Sequence, residues 1–519
     1  MTELATTYIL TIDAGTSNLK VILFDADGQE VYLAKAQVHY KQDGEAFEIN
    51  MSDIWIAVSA LLKEVVENSG ICPTRIAAIG ITGQGEGCWL LDEHFHPVRN
   101  AILWLDKRAA DELSRVPAHV QRTYTDITFS KLVPGSTIAL LKWLDSNEPS
   151  ILDSAAYCLS CKDWLRFNLT DELITDFSDL STSMLAMRSG EVADDVFALL
   201  GISHRRKLIP SVVYAEELGG RLSKKAALLT GLTEGTPIIT GALDIAANVI
   251  GSGAMNEGDL SITIGTTCSS QLILKELPES FLDVGSIIYG AKENQYIHMV
   301  GSMAGTPNID WLVRELYGID LRNEVDLKNF FSSLDDEVKA VSIGAEGVVY
   351  HPYIMTGERA PFYHPHAIAQ FFGLNSKTTK AHLSRAVYEG IALSIKDCLH
   401  SNDRSKRIIV SGGASKSAIL SQIIADCTGL EVIKLEGKEH TSKGAFILAA
   451  VHAGLFNTCE EAIRKTTKIM ASFQPKMESH LRYNELFELY RSLQKANVEN
   501  WELRHHFLQG ENCRTEEKV

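Results

Sequence analysis

The chain has 519 residues, more than one hydrophobic core usually supports, and its 45% hydrophobic and 22% charged residues are ordinary values for a globular protein of two large domains. With 49 Lys and Arg against 66 Asp and Glu the formal net charge is −17, which speaks against non-specific binding to nucleic acid or to an anionic membrane surface. An anionic ligand must then be held locally, by backbone dipoles and by a metal ion.

In chain order, residues 8–12, 20–24 and 30–34 read as three strands of an opening β-meander, with Asp27-Gly28 as the second turn. Ser52 can cap a helix whose apolar residues Ile54, Trp55, Val58, Leu61, Leu62, Val65 and Val66 follow helical spacing. A strand over residues 76–82 follows and leads into Gly83-Gln84-Gly85-Glu86-Gly87. Residues 111–232 read as mostly helical, and Gly235-Thr236-Pro237 punctuates the approach to a strand at 238–241. Gly251, Gly253, Asn256 and Gly258 interrupt the periodicity before a second meander begins, which sets the domain boundary and the hinge near 251–258. The expected units are residues 1–254, 255–495 and a C-terminal tail at 496–519, disordered from about Gly510.

No positively charged leader precedes the first strand. The longest apolar-rich run, residues 445–456, is too short to span a bilayer and contains His452, so the reading is a cytoplasmic protein. Nine cysteines, an odd number, suit reduced thiols. Cys158 and Cys161 form a lone C-x-x-C, and the sixteen histidines contain no H-E-x-x-H, so a zinc or redox site is not expected.

One pattern occurs twice, 250 residues apart. Ile12-Asp-Ala-Gly-Thr-Ser17 and Ile262-Thr-Ile-Gly-Thr-Thr267 each lie between strand-like apolar runs, so that Gly15 matches Gly265, Thr16 matches Thr266 and Ser17 matches Thr267. A hairpin turn of this composition presents backbone N–H groups and hydroxyls around one concavity, chemistry suited to an anion. One Gly-Thr turn alone is usually just a tight turn. Duplication points instead to two related halves that hold a polyphosphate from both sides. The first copy adds Asp13 and Lys20, and a buried carboxylate beside a phosphate cradle needs an intervening divalent cation, which implies Mg²⁺.

These hairpins, together with Gly241-Ala-Leu-Asp244 before a helix and Ser411-Gly-Gly-Ala-Ser-Lys-Ser417 before another, resemble the FGGY carbohydrate kinases, a branch of the actin and hexokinase superfamily. Trp104-Leu-Asp-Lys-Arg108, Lys162-Asp-Trp164, Pro352-Tyr353 with Gly357-Glu-Arg-Ala-Pro361, and Glu439-His-Thr-Ser-Lys-Gly444 add to the likeness, which spans about residues 8–495 in family order. The resemblance implies an α/β protein of two ribonuclease-H-like domains, the N-terminal one sugar-binding and the C-terminal one nucleotide-binding, with ATP in the cleft between them. It implies phosphorylation of a sugar or polyol hydroxyl, with Asp13 and Asp244 on the metal.

From position alone Asp244 reads as a helix cap, kept ionised by the helix dipole. The resemblance makes it the catalytic acceptor, which need only orient the hydroxyl and take its proton late, because phosphoryl transfer has a loose transition state. Gly412, Gly413 and Ala414 resemble the family's adenine site, in which two glycines let a ring approach the backbone; Ser417 stands where many relatives carry Asn. No G-x-x-x-x-G-K-[ST] and no H-R-D is present, which removes P-loop and protein-kinase readings.

The substrate reading rests on Gln84, Glu86, Trp104 and Asp106. Glycerol kinases place Arg just before the Glu, where this chain has Gly85, and Gln after the catalytic Asp, where it has Ile245, so glycerol is disfavoured. D-xylulose kinases usually carry Met-His in G-Q-M-H-G, which Gly85-Glu86 also breaks. The combination most resembles L-xylulose and erythritol kinases, with D-xylulose or another sugar of the family as the alternative. A non-catalytic ATP-binding, sugar-sensing switch is the competing class, and Asp244, Gln84, Glu86 and Asp106 argue against it. Oligomeric state is left open, a homodimer being one compatible arrangement.

Overall fold

Residues 8–14 and 18–25 fold back on each other around Gly15-Thr16-Ser17, and this hairpin seeds the first of two seven-stranded sheets. The computed structural model describes residues 7–282, 284–322, 324–399 and 404–509. In spatial order the first sheet runs Leu218–Arg221, Pro237–Ile239, Ile76–Gly83, Tyr8–Ala14, Asn18–Asp25 and Glu30–Gln37, with Ala242–Leu243 also paired to Ile76–Gly83. The second runs Ser286–Tyr289, Tyr296–Ser302, Cys268–Leu274, Asp259–Ile264, Arg407–Ser411, Glu431–Leu435 and Ile469–Phe473.

The two sheets repeat one wiring. In each, the strand that enters the Gly-Thr turn is antiparallel to the strand that leaves it and parallel to its other neighbour, Ile76–Gly83 in one half and Arg407–Ser411 in the other. In each, the far edge on the parallel side closes with an antiparallel strand. The internal repeat is therefore a repeat of topology, and the fold is a two-domain α/β arrangement with one mixed sheet in each half. Every residue of Tyr8–Ala14 is buried, as its near-continuous apolar sequence requires of a strand covered on both faces.

Helix Met51–Asn68 covers the first meander with Ile54, Val58, Leu61, Leu62 and Val65 inward. Its cap is Asn50, whose side chain accepts from the backbone N–H groups of Ser52 and Asp53, so the expected cap at Ser52 lies two residues too late. The middle of the chain, expected to be mostly helical, carries helices Ala118–Thr128, Thr137–Asn147, Cys161–Thr170 and Lys224–Thr230 among short strands.

Helix His440–His452 comes from the second half of the chain yet packs against Tyr8–Ala14 and Ile76–Gly83 of the first sheet and against helix Asp244–Gly251. Its approach is backbone to backbone. A Cβ on Gly444 would lie 1.9 Å from the Ala247 carbonyl oxygen, and one on Gly251 would lie 1.7 Å from that of His440. Residues 252–258, where the hinge is expected, run from this crossing into strand Asp259–Ile264.

The expected tail is folded further than the sequence suggests. Helix Val498–Gln509 docks by Trp501, which is buried and stacks on Phe362 with 6.0 Å between ring centroids. Residues 510–519, expected to be disordered, lie outside the described residues. Among the described residues no helix is long and apolar enough to cross a membrane, and the eight described cysteines are free of disulfides.

Candidate active site

The first Gly-Thr turn carries its chemistry at the carboxyl end of Tyr8–Ala14. Asp13 is buried there, accepts a 3.2 Å hydrogen bond from the Ser442 hydroxyl and lies 3.8 Å from Lys20 Nζ. Burial pushes its carboxyl up to about 6, although Lys20 and Ser442 favour the charged form. Lys20, expected at phosphate, is hydrogen-bonded to Glu439 just ahead of helix His440–His452, so in this structure it ties one half of the chain to the other.

Thr16 joins the phosphate turn to the expected sugar pocket. Trp104 Nε1 donates to Thr16 Oγ1 at 2.9 Å, and that hydroxyl donates in turn to Gln84 Oε1 at 3.2 Å. Trp104 is 45% exposed, unusual for the largest apolar side chain. Gln84 is buried at the end of Ile76–Gly83, its backbone N–H bonded to the Ala14 carbonyl, so the substrate loop starts from the same sheet end as the phosphate turn.

Glu86 sits at φ 58, a left-handed conformation that a non-glycine residue adopts only when its surroundings impose it. The imposing contacts are at Oε2, which accepts from Thr137 N at 2.6 Å, Thr137 Oγ1 at 2.9 Å and Ser183 Oγ at 3.0 Å. Burial raises its carboxyl, and those donors oppose the rise. Glu86 thus caps helix Thr137–Asn147 through one oxygen.

Asp106 is engaged within the protein. It is fully buried, with Oδ2 accepting from Phe47 N at 2.8 Å, Oδ1 from Arg108 N at 3.0 Å, and both oxygens from Arg108 Nε. Asp106, expected to read a substrate hydroxyl, uses its acceptor capacity here in holding the loop that presents Trp104.

Asp244 opens helix Asp244–Gly251, after Gly241 turns the chain away from the sheet. The sequence reading has the helix dipole keep it ionised. Instead its carboxyl is raised to about 7, because burial and the nearby Asp13 charge outweigh the backbone N–H of Ile245. Asp13 and Asp244 are thus each held above the usual carboxylate range. Oxygen-only donors in excess of nearby positive charge fit a hard divalent cation. Among the described residues no group of three or more His, Cys, Asp or Glu could hold a metal ion, so remaining ligands would be phosphate oxygens and water.

On the nucleotide side, Gly265 N–H donates to the Thr267 carbonyl at 2.9 Å, closing the second turn, and Gly265 O accepts from Thr306 N at 2.6 Å. Gly412 has φ 87 and packs so close to Ile264 that a Cβ would lie 2.5 Å from its carbonyl oxygen. Only glycine fits there. Gly413 and Ala414 begin the turn that leads into helix Ala418–Thr428, while Thr266 and Thr267 lie at the tip of the hairpin beside it. Ser417 is that helix's N-cap, accepting from Leu420 N at 3.1 Å and donating to Asp335 at 2.8 Å, so its hydroxyl is engaged within the protein.

Sequence reasoning passed over a buried charge cluster beneath the pocket. Lys162 Nζ lies 2.7 Å from Asp163 Oδ1, 2.7 Å from Asp176 Oδ1 and 2.9 Å from Asp179 Oδ2, with Arg166 also on Asp163. Asp176 Oδ2 accepts from the Ser178 hydroxyl, and that hydroxyl accepts from the backbone N–H of Leu243, the residue before Asp244. The available signal was Lys162-Asp-Trp164, already noted as a motif, but nothing local joins it to Asp176 or Leu243.

Residues 8–251 match the N-terminal domain and residues 260–453 the C-terminal domain of the FGGY family of carbohydrate kinases. The chain belongs to that family. This FGGY kinase is 31% identical over 507 residues to a Brucella abortus protein named erythritol kinase, covering 95% of this chain and 97% of the relative. It is 27% identical over 500 residues to the Escherichia coli L-xylulose/3-keto-L-gulonate kinase, covering 94% and 97%. In fold it superposes on the xylulose kinase of Rhodospirillum rubrum with a TM-score of 0.86 at 22% identity, over 95% of this chain and 100% of that one. The protein is an ATP-dependent carbohydrate kinase.

Proposed function

We propose that this FGGY kinase transfers the γ-phosphate of ATP to a hydroxyl of a four- or five-carbon polyol or ketose, erythritol or L-xylulose, with D-xylulose as the alternative. The observation that carries the reading is the hydrogen-bonded chain Trp104–Thr16–Gln84, which couples a phosphate-turn hydroxyl directly to the substrate loop. The names of the relatives at 31% and 27% identity support the same two substrates.

In this reading Trp104 forms an apolar wall for the carbon chain and Gln84 reads a hydroxyl, while Glu86 shapes the loop and offers its second oxygen. Gly15, Thr16 and Ser17 face the transferring phosphate, and Gly265, Thr266 and Thr267 hold the rest of the polyphosphate from the nucleotide half. Gly412, Gly413 and Ala414 admit the adenine. Asp244 orients the accepting hydroxyl and takes its proton late in the transfer. Asp13 and Asp244 would hold Mg²⁺, which supplies positive charge against the phosphate oxygens when bound.

The test is ATP consumption with tetritols, pentitols, pentuloses, hexuloses and glycerol. Erythritol or L-xylulose is expected to lead and glycerol to be poor. A site that leaves a polar group unpaired with the wrong substrate loses about 1–3 kcal/mol. Glycerol as the best substrate would overturn the pocket reading.

A further inference from the structure

Asp179 is the member of the Lys162 cluster that lies against Gly85. Lys162 and Arg166 supply two positive charges, and Asp163, Asp176 and Asp179 three negative ones, all nine-tenths or more buried. Asp163 and Asp176 have structural duties, the first pairing both cations and the second fixing Ser178. Asp163 Oδ2, Asp176 Oδ1 and Arg166 Nε also lack a hydrogen bond, but Asp179 has none at either oxygen: Oδ2 lies 2.9 Å from Lys162 Nζ as an ion pair, Oδ1 has no partner, and burial holds the carboxyl above its usual range in spite of Lys162. An unpaired, buried carboxylate oxygen is destabilising, and one that persists calls for a reason.

Its position supplies one. Oδ1 lies under Gly85, between Gln84 and Glu86, and beside Leu243, which precedes Asp244. A Cβ built on Gly85 would stand 2.8 Å from Asp179 Oδ1 and 2.2 Å from Leu243 Cδ1. Any side chain at 85 would therefore separate the oxygen from the substrate loop. The backbone N–H of Leu243, the residue before Asp244, is bonded to the Ser178 hydroxyl, one residue before Asp179, so the two carboxylates are joined through one short stretch of structure.

We propose that Asp179 is a specificity-determining residue whose Oδ1 accepts a hydrogen bond from a substrate hydroxyl other than the one phosphorylated, with Leu243 the side chain that yields to admit it. This rests on the polyol or ketose reading of the same pocket. The ligand chemistry is a hydroxyl donor on a carbon neighbouring the accepting end. The carboxylate is surplus to the charge balance of the cluster, so its removal leaves two cations facing two carboxylates.

The experiment compares the best substrate of the wild-type protein with each of its monodeoxy analogues, in wild type, Asp179→Ala, Asp179→Asn and Leu243→Ala. In wild type one deoxy position is expected to lower kcat/KM about tenfold or more, as loss of a hydrogen bond to a charged group does. In Asp179→Ala that one penalty shrinks to less than about twofold while penalties at other positions stay, the signature of direct coupling. Asp179→Asn, which keeps a carbonyl acceptor, should restore part of it. Leu243→Ala leaves the charge cluster intact and uncovers Oδ1, so it should enlarge the same penalty, and it decides the matter should Asp179→Ala fail to fold. Penalties equal in all four proteins, or lowered turnover of every substrate by one common factor, overturn the inference while leaving the kinase standing. Absence of turnover of any polyol or ketose by wild type would sink both.

Discussion

Substituting Gly444 by Ala should separate the two halves of this kinase where they touch most closely. The new Cβ would lie 1.9 Å from the Ala247 carbonyl oxygen, 2.6 Å from its carbon and 2.9 Å from its Cα. All three neighbours are backbone, so no rotamer change relieves the clash, and helix His440–His452 must back away by about 1 Å from a close-packed surface. Overpacking of this kind costs about 3 kcal/mol, and the better helix propensity of Ala returns about 1. A net loss of about 2 kcal/mol lowers the melting temperature of a unit of this size by about 5 °C. Gly301→Ala is the control, because a Cβ there meets nothing within 4 Å and the backbone φ is ordinary. Differential scanning calorimetry of the three proteins decides it. Gly444→Ala melting within about 1 °C of the parent, or at the temperature of Gly301→Ala, would refute the backbone-to-backbone crossing.

Asp244→Asn should reduce kcat at least about 100-fold, close to 3 kcal/mol in the barrier, with the affinity for an ATP analogue nearly intact; turnover within tenfold of wild type would remove Asp244 from the chemistry. Acid should weaken the second half through His351, which is fully buried, with Nε2 3.0 Å from the Tyr490 carbonyl and Nδ1 3.3 Å from the Gln370 amide. Burial depresses it from 6.5 to about 4, so the unfolded chain takes the proton first and stability, complete above pH 6.5, falls as pH drops toward 4. The full effect is about 3 kcal/mol, and His351→Gln should flatten the pH dependence of urea unfolding in that window; an unchanged slope would contradict the assignment. Small-angle scattering should record a smaller radius of gyration when ATP analogue and sugar bind together, since the two phosphate turns sit on separate sheets. An unchanged radius would count against closure.

What was legible in the sequence was what short segments determine. Gly15-Thr16-Ser17 and Gly265-Thr266-Thr267 announce hairpins because turn chemistry is local, and their duplication announces the second sheet. Gly412 reads from sequence as room for a ring beside the backbone, and what the structure adds is a partner no local signal names, the backbone of Ile264. The errors arise where two candidate partners compete. Ser52 and Asn50 are both good caps, and the choice depends on where the chain leaves strand Ala46–Ile49. Asp106 looked available because Arg108, two residues on, could as well have pointed to solvent.

Ionisation was the least legible property, because it depends on groups far away in sequence. The dipole of its own helix favours a charged Asp244, yet Asp13, more than two hundred residues earlier, and the burial of both reverse the sign. The same distance hid the partner of Lys20, Glu439. Both features occur where helix His440–His452 crosses onto the first sheet, so the position of that helix bears on the electrostatics of the site. Ser442 on Asp13 and Glu439 beside Lys20 come from its first turn or just before it. A displacement of this one helix would change the charge environment of Asp13 and Lys20 together.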